Sequence, residues 1–235
     1  MHVTDSNEAY QLALRALLKA PIIAPRGLPC HEIRTALIEI LHPSEEPITT
    51  ASPERNAVIR KYTFEEFALY DSKTDRVEHF AQASKFWTKI ANEDGTVNSA
   101  YGKIIWRDRS LPYNATPWMW AKRALEEDAY TRQATLLFMR PDHLRPCKDV
   151  ICTSHGQFCI RDNELHFTVV MRSNDVVKGF VYDAPWFQRL QLRMLREIGE
   201  HYPNLRPGRY THIVHSFHLY TSDVPLAKEM LFSVS

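Results

Sequence analysis

A mixed α/β (α+β) chain, with one β-sheet flanked by helices, is the fold class this sequence predicts, and three observations predict it. Apolar residues recur at helical spacing in several stretches. Short apolar or alternating runs of strand length lie between them. The two kinds alternate along the chain with no internal repeat and no long linker, which fits one domain over residues 1–235. Composition agrees: 44% hydrophobic and 24% charged residues in 235 suffice for a sizeable core without disulfide staples.

In order, residues 6–20 read as a helix with an apolar stripe through Tyr10, Leu12, Leu14, Leu17 and Leu18, and Ser6 or Asn7 as cap. "PIIAPRGLPCHEIR" is a Pro- and Gly-punctuated loop carrying Arg26. Residues 33–41 fit a strand, and the Pro- and Ser-rich stretch 42–56 an exposed connection. A helix is expected to begin at "TFEEFALY", with Thr63 as cap and Glu66 closing a capping box. A short helical pattern surrounds Trp87, "NSAYGKIIW" fits a loop entering a strand, and 116–128 is helical. "ATLLFMRP" is of strand length. "HGQFCIR" and "ELHFTVVMR", joined by Asp162-Asn163, predict a hairpin. Residues 184–200 give the clearest helix, with Pro185 in its first turn, and "THIVHSFHLY" a late strand.

A net charge of +1 supplies no bulk field toward nucleic acid or a membrane surface, so neither is expected as a partner. The four cysteines, Cys30, Cys147, Cys152 and Cys159, contain no C-x-x-C pair. That favours free thiols in a reducing compartment over a metal site, and none is expected. "MHVTDSNEAYQ" lacks the apolar core of a signal peptide, and no run of eighteen apolar residues occurs, so the expectation is a cytoplasmic protein.

Polar residues concentrate where strands should be buried: Cys152, Arg172, Ser173, Asn174, Asp175, Asp183, His218 and Tyr220. Arg and Asp are rarely buried unless paired or bound to something. An Arg172–Asp175 ion pair with Cys152 as a small core filler would account for part of the set. A binding site would account for all of it.

The spacing carries a resemblance. Twenty positions lead from Cys152 in "ICTSHGQFCIRD" to Arg172 in "MRSNDVVKGF", and eleven more to the Asp of "VYDAPW"; "SFHLY" follows. This pattern resembles the thymidylate synthase family, and within it the bacteriophage deoxycytidylate hydroxymethylases. Looser matches are Glu66 in "FEEFALY", Trp87 fourteen residues before Tyr101-Gly102, "TRQATLLFMRP", and "APRGLP". Cys147 in "RPC" mimics a nucleophile segment but does not fit the interval.

The resemblance implies a folate-dependent one-carbon transferase, active as a homodimer that pairs through the sheet. Cys152 would add to pyrimidine C6, with its pKa expected to be lowered by Arg172. Glu66 would order water and shuttle protons, although a capping-box acid needs no chemistry. Asp183 would read the base. Synthases carry Asn there, which suits uracil, whereas a carboxylate accepts from the cytosine amino group. A helix cap is compatible with the same position. Arg26, Arg172 and Ser173 would hold the phosphate beside Asn174, with Arg132 supplied by the second subunit. The family's second arginine is replaced there by Gln133. His218 and Tyr220 would bind the sugar 3′-hydroxyl, or form a satisfied aromatic strand face. Trp87, Asp175 and Gly179 would line the 5,10-methylenetetrahydrofolate side. Thr153, Met171 and the short tail "AKEMLFSVS" depart from the synthase pattern. The implied reaction is dCMP to 5-hydroxymethyl-dCMP. The alternatives are CMP hydroxymethylation, and a deoxyuridylate hydroxymethylase or thymidylate synthase.

Overall fold

The fold is that of a computed structural model, which describes residues 1–110, 113–144 and 147–233. Most of "RPC" and the last two residues of the tail lie outside the described residues.

The elements run β1 (His2–Val3), α1 (Ser6–Leu17), β2 (Ile22–Ile23), β3 (Cys30–Ile40), α2 (Pro53–Asp71), α3 (Val77–Ala83), α4 (Phe86–Ile90), α5 (Tyr101–Trp106), α6 (Pro117–Glu127), β4 (Thr135–Leu137), β5 (Thr153–Arg161), β6 (Glu164–Asp175), α7 (Val181–Ile198), β7 (Arg206–Tyr220) and α8 (Val224–Glu229). The strands form one mixed sheet in the order β1-β3-β7-β6-β5-β4, with β2 on β3. β6 and β7 are parallel, while β3–β7, β5–β6 and β4–β5 are antiparallel.

The β5–β6 hairpin forms as the sequence predicts. Asp162 and Asn163 adopt φ of 52° and 59°, the double left-handed turn that matches strand twist and that Asn and Asp tolerate. Other elements depart from expectation. α2 starts ten residues before Thr63, at Pro53, with Ser52 accepting from the Arg55 amide. Thr63 is therefore buried in mid-helix, and Glu66 belongs to no capping box. Part of the 42–56 stretch is buried as well, including Ile48, Thr50 and Ser52. Residues 101–106 are helical, not a strand. A Cβ on Gly102 would fall 1.7 Å from the Tyr70 carbonyl oxygen, so α5 can lie directly on α2 only with glycine there. α7 begins before Pro185, because a π-helical turn, Val176–Phe180, runs straight into it. Asp175 caps that turn, its Oδ1 accepting from the amides of Val177 and Lys178 at 2.8 and 2.9 Å.

The helical layer covers one face of the sheet. Trp186, Phe187, Leu190, Met194 and Ile198 of α7 are fully buried, as are Phe167 and Val169 of β6 and Tyr210, His212 and Val214 of β7. The other face carries a row in register across five strands: Leu37, Ile213, Val170, His155 and Leu137. Leu37 and Leu137 are 46% and 59% exposed. Among the described residues no helix is long and apolar enough to cross a membrane.

Candidate active site

β6 outlasts its partner β5. Their pairing ends at Thr153–Met171, and β6 continues beside β7 to Asp175. Past the end of β5 the residues Arg172 to Asp175 border a cavity of about 700 Å³ instead of another strand. One backbone bond anchors the chain entering β5: the Arg172 amide donates to the Cys152 carbonyl at 2.8 Å. That bond fixes Cys152 at the cavity wall.

Of the candidate residues, Cys152, Glu66, Asp183, Arg26, Arg172, Ser173, Asn174, His218, Tyr220, Trp87, Asp175 and Gly179 all line this cavity. Arg132 does not. It is exposed, and its carbonyl accepts from Gln157 Nε2 at 2.7 Å. Gln157 pairs with Thr168 and Thr168 with Thr211, the row next to the apolar one on the open face.

Arg172 makes no pair with Asp175. Its Nε donates to the Ile151 carbonyl at 3.0 Å and its Nη2 to the Val150 carbonyl, which leaves Nη2 3.6 Å from the Cys152 sulfur. The Ser173 hydroxyl lies 3.7 Å from the same sulfur. Burial nevertheless pushes the Cys152 thiol up, against the pull of Arg172 and Ser173. The expected lowering is thus not found, because desolvation outweighs a single partly exposed cation. Behind the sulfur, Tyr101 and Thr153 share a buried hydroxyl–hydroxyl bond of 2.8 Å.

Glu66 is buried, and Asp183 is partly buried. Asp183 stands inside a continuous helical path, so it caps nothing. Its Oδ2 accepts from Asn174 Nδ2 at 2.7 Å. Burial raises its pKa to about 7, opposed by that bond. Glu66 is raised to about 8, by burial first and then by the charge of Asp183. A relay leads away from Glu66: Trp87 Nε1 donates to the Tyr62 hydroxyl at 3.0 Å, which donates to Glu66 Oε1 at 3.1 Å. Trp87 is therefore tied to Glu66 as well as lining the cavity. Gly179 packs on the other carboxyl, since an added Cβ would lie 3.2 Å from both Asn174 Oδ1 and Asp183 Oδ2.

Across the sheet, Asp175, His218 and Glu32 stand in one register row on β6, β7 and β3. The His218 and Tyr220 rings meet edge to face at 5.2 Å. Asp175 Oδ2 is buried and has no hydrogen-bond partner. Trp87, Phe86 and Ile90 line the cavity too, and Phe86 is half exposed. An aromatic wall and an orphaned carboxylate oxygen fit a flat ring bearing N–H donors. Among the described residues no three His, Cys, Asp or Glu side chains gather to hold a metal ion.

Sequence reasoning missed Tyr62, Asp149, Glu32 and Ser216. Tyr62 had a readable signal: it lies four residues before Glu66, one helical turn away, once the helix is known to begin at Pro53. Asp149 accepts from the Ser99 amide and hydroxyl at 2.7 and 2.6 Å, and nothing in its local sequence announces that.

The family model for thymidylate synthase matches residues 41–233, so the chain belongs to the thymidylate synthase family. Members of this family are folate-dependent one-carbon transferases that use 5,10-methylenetetrahydrofolate as donor. The chain is 28% identical to deoxycytidylate 5-hydroxymethyltransferase of enterobacteria phage T4 over 169 residues, which cover 68% of this chain and 67% of that protein. It is 23% identical to a thymidylate synthase of Listeria monocytogenes over 97% of this chain and 78% of that one. Thymidylate synthase A from Bacillus subtilis superposes with a TM-score of 0.74 at 19% identity, covering 97% of this chain and 84% of the other, and shows the fold.

Proposed function

We propose that this protein hydroxymethylates C5 of a cytosine nucleoside 5′-monophosphate, with dCMP as the first substrate. The observation that carries the reading is Asp183, a carboxyl in the wall of the cavity that also holds Cys152 and Arg172. Its similarity to the phage hydroxymethyltransferase supports the same choice. Bound 5,10-methylenetetrahydrofolate supplies the one-carbon unit. The rest falls to the chain's own residues.

Pyrimidine C5 is a weak nucleophile. Addition of the Cys152 thiolate to C6 forms an S–C6 bond and moves the ring's π electrons toward C5. The raised thiol needs a base or a cation when substrate binds, and Arg172 stands 3.6 Å from the sulfur. Asp183 accepts from the N4 amino group. With a pKa near neutrality, it can also share a proton with N3, which makes C6 more electrophilic. Glu66, held by Tyr62, orders the water that ends as the hydroxyl and exchanges protons with the base. Arg26, Arg172 and Ser173 bind the phosphate, and His218 and Tyr220 the 3′-hydroxyl. Guanidinium forks suit phosphate oxygens.

A homodimer completes this reading. The uncovered row from Leu37 to Leu137 supplies an apolar face for a second copy. Arg132, exposed beside Gln157 and outside its own cavity, would serve the partner's phosphate site in such a dimer. The test of the core claim is release of C5 tritium from dCMP by the native chain and by Cys152→Ser. Loss of release in the variant is expected, and unchanged release refutes the nucleophile.

A further inference from the structure

Glu66 stands between two tyrosines of α2. Tyr62, Glu66 and Tyr70 follow one another at intervals of four, so they rise along one face of the helix, and all three line the cavity. Tyr62 is fastened from behind: its hydroxyl accepts from the Trp87 indole N–H and donates to Glu66 Oε1. Tyr70 is held by its ring instead. That ring stacks on Tyr101 at 5.4 Å and tilts against Trp186 at 4.6 Å, and the residue is only 3% exposed. The Tyr70 hydroxyl hydrogen-bonds Glu66 as well. Like that of Tyr62, it lowers a Glu66 pKa that burial and the charge of Asp183 raise.

Burial, and then the charge of Glu66, hold the Tyr70 pKa far above the ordinary tyrosine range, so Tyr70 stays a neutral hydroxyl and cannot act as the base. A hydroxyl has one hydrogen and two acceptor sites. With its hydrogen given to Glu66, the Tyr70 oxygen is left to accept from the cavity side. The neighbouring Tyr101 hydroxyl is already paired with Thr153. Glu66 and Tyr70 therefore offer two acceptors one helical turn apart. That is what an attacking water needs: both hydrogens are held, and an oxygen lone pair is left for carbon.

Building on the proposed function, we infer that Tyr70 is a further catalytic residue: its hydroxyl donates to Glu66 and accepts one hydrogen of the water whose other hydrogen Glu66 takes. The step it serves comes after the one-carbon unit has reached the ring, when C5 carries an exocyclic methylene and C6 the Cys152 sulfur. The water oxygen bonds to the methylene carbon, and one water proton passes to the Glu66 carboxylate. The methylene π pair moves into the C5–C6 bond, and the C6–S bond breaks to return Cys152 as thiolate. Glu66 is the base of this step, and Tyr70 aims the oxygen.

The experiment follows C5-tritiated dCMP with 5,10-methylenetetrahydrofolate in the native chain and in Tyr70→Phe, which keeps the ring and its stacking. Tritium released to water reports the chemistry at C5, and mass detection of 5-hydroxymethyl-dCMP reports capture by water. Circular dichroism confirms folding, and calorimetry gives the dCMP affinity. In Tyr70→Phe the affinity and KM for dCMP stay near native while kcat for product falls about tenfold, the loss of one hydrogen bond in the transition state. The ratio of tritium released to product formed rises severalfold, because a methylene left without its water reverts and takes a solvent proton at C5. Tyrosine fluorinated at both ring positions beside the hydroxyl, placed at residue 70, weakens the oxygen as an acceptor at the same shape. It raises the ratio to a lesser degree and carries the test should Tyr70→Phe not fold. A folded variant in which both signals fall together at the native ratio, or neither falls, overturns the inference while leaving the cytosine reading intact. A native chain that releases no tritium from dCMP overturns both.

Discussion

Arg172 Nη2 lies 3.6 Å from the Cys152 sulfur, yet the thiol's pKa remains above its ordinary value because burial outweighs the guanidinium. The cation limits the penalty without removing it. Alkylation of Cys152, followed on its own peptide by mass spectrometry, should accelerate with pH to a midpoint above that of an ordinary thiol. Arg172→Ala should move the midpoint further up and slow alkylation at neutral pH. An unmoved midpoint would mean that Arg172 exerts no field on the sulfur.

Tyr62 connects Trp87 to Glu66 and favours the ionised carboxylate. Tyr62→Phe leaves the indole N–H and a carboxyl oxygen without that partner. It should cost about 1–2 kcal/mol of stability. It should also shift alkaline the limb of the rate profile that reports Glu66. Denaturation midpoints and a pH profile of dCMP turnover check the two effects separately.

The paired carboxyls make stability depend on pH. Asp183 rises from 3.8 to about 7 and Glu66 from 4.5 to about 8 on folding. The folded chain thus binds more protons than the unfolded chain between those values. Their contribution is fully present below about pH 4 and is lost as pH rises through 7 and 8. Glu66→Gln should flatten that loss, leaving the variant more stable than the native chain at pH 8.5 by on the order of 2–4 kcal/mol. Urea titrations at pH 5, 7 and 8.5 measure it, and parallel curves for the two proteins would contradict it.

If Arg132 serves the partner's cavity, defects in different subunits should complement. Arg132→Ala and Cys152→Ser are each expected to be nearly inactive alone. Mixed and allowed to exchange subunits, they form hybrids in which one cavity has its own Cys152 and an intact Arg132 from the other chain. Activity should reappear in the mixture. Its failure to do so, with hybrids demonstrated by mass, would confine Arg132 to its own subunit.

The hairpin and α7 were legible from local signals, and the candidate residues that border the cavity from the spacing that carries the family resemblance. Asp162-Asn163 names its own turn, and Cys152, Arg172 and Asp183, singled out by their spacing, line one cavity. What was hidden depends on contacts distant in sequence. Residues 101–106 read as strand-like, with Ile104, Ile105 and Trp106 in succession, but Gly102 lets them coil against Tyr70. The start of α2 was concealed because Ser52 and Pro53, a cap and a first-turn proline, sit in a stretch that reads as loop. The pKa of Cys152 was misjudged for a related reason: a nearby arginine is visible in sequence, whereas the depth of burial is not.

The central claim is most directly tested by offering CMP, dCMP and dUMP together with 5,10-methylenetetrahydrofolate and identifying the products by mass. The account predicts one CH2OH group at C5 of a cytosine nucleotide, foremost dCMP, with no dihydrofolate formed. A methylated uracil nucleotide accompanied by dihydrofolate would contradict it.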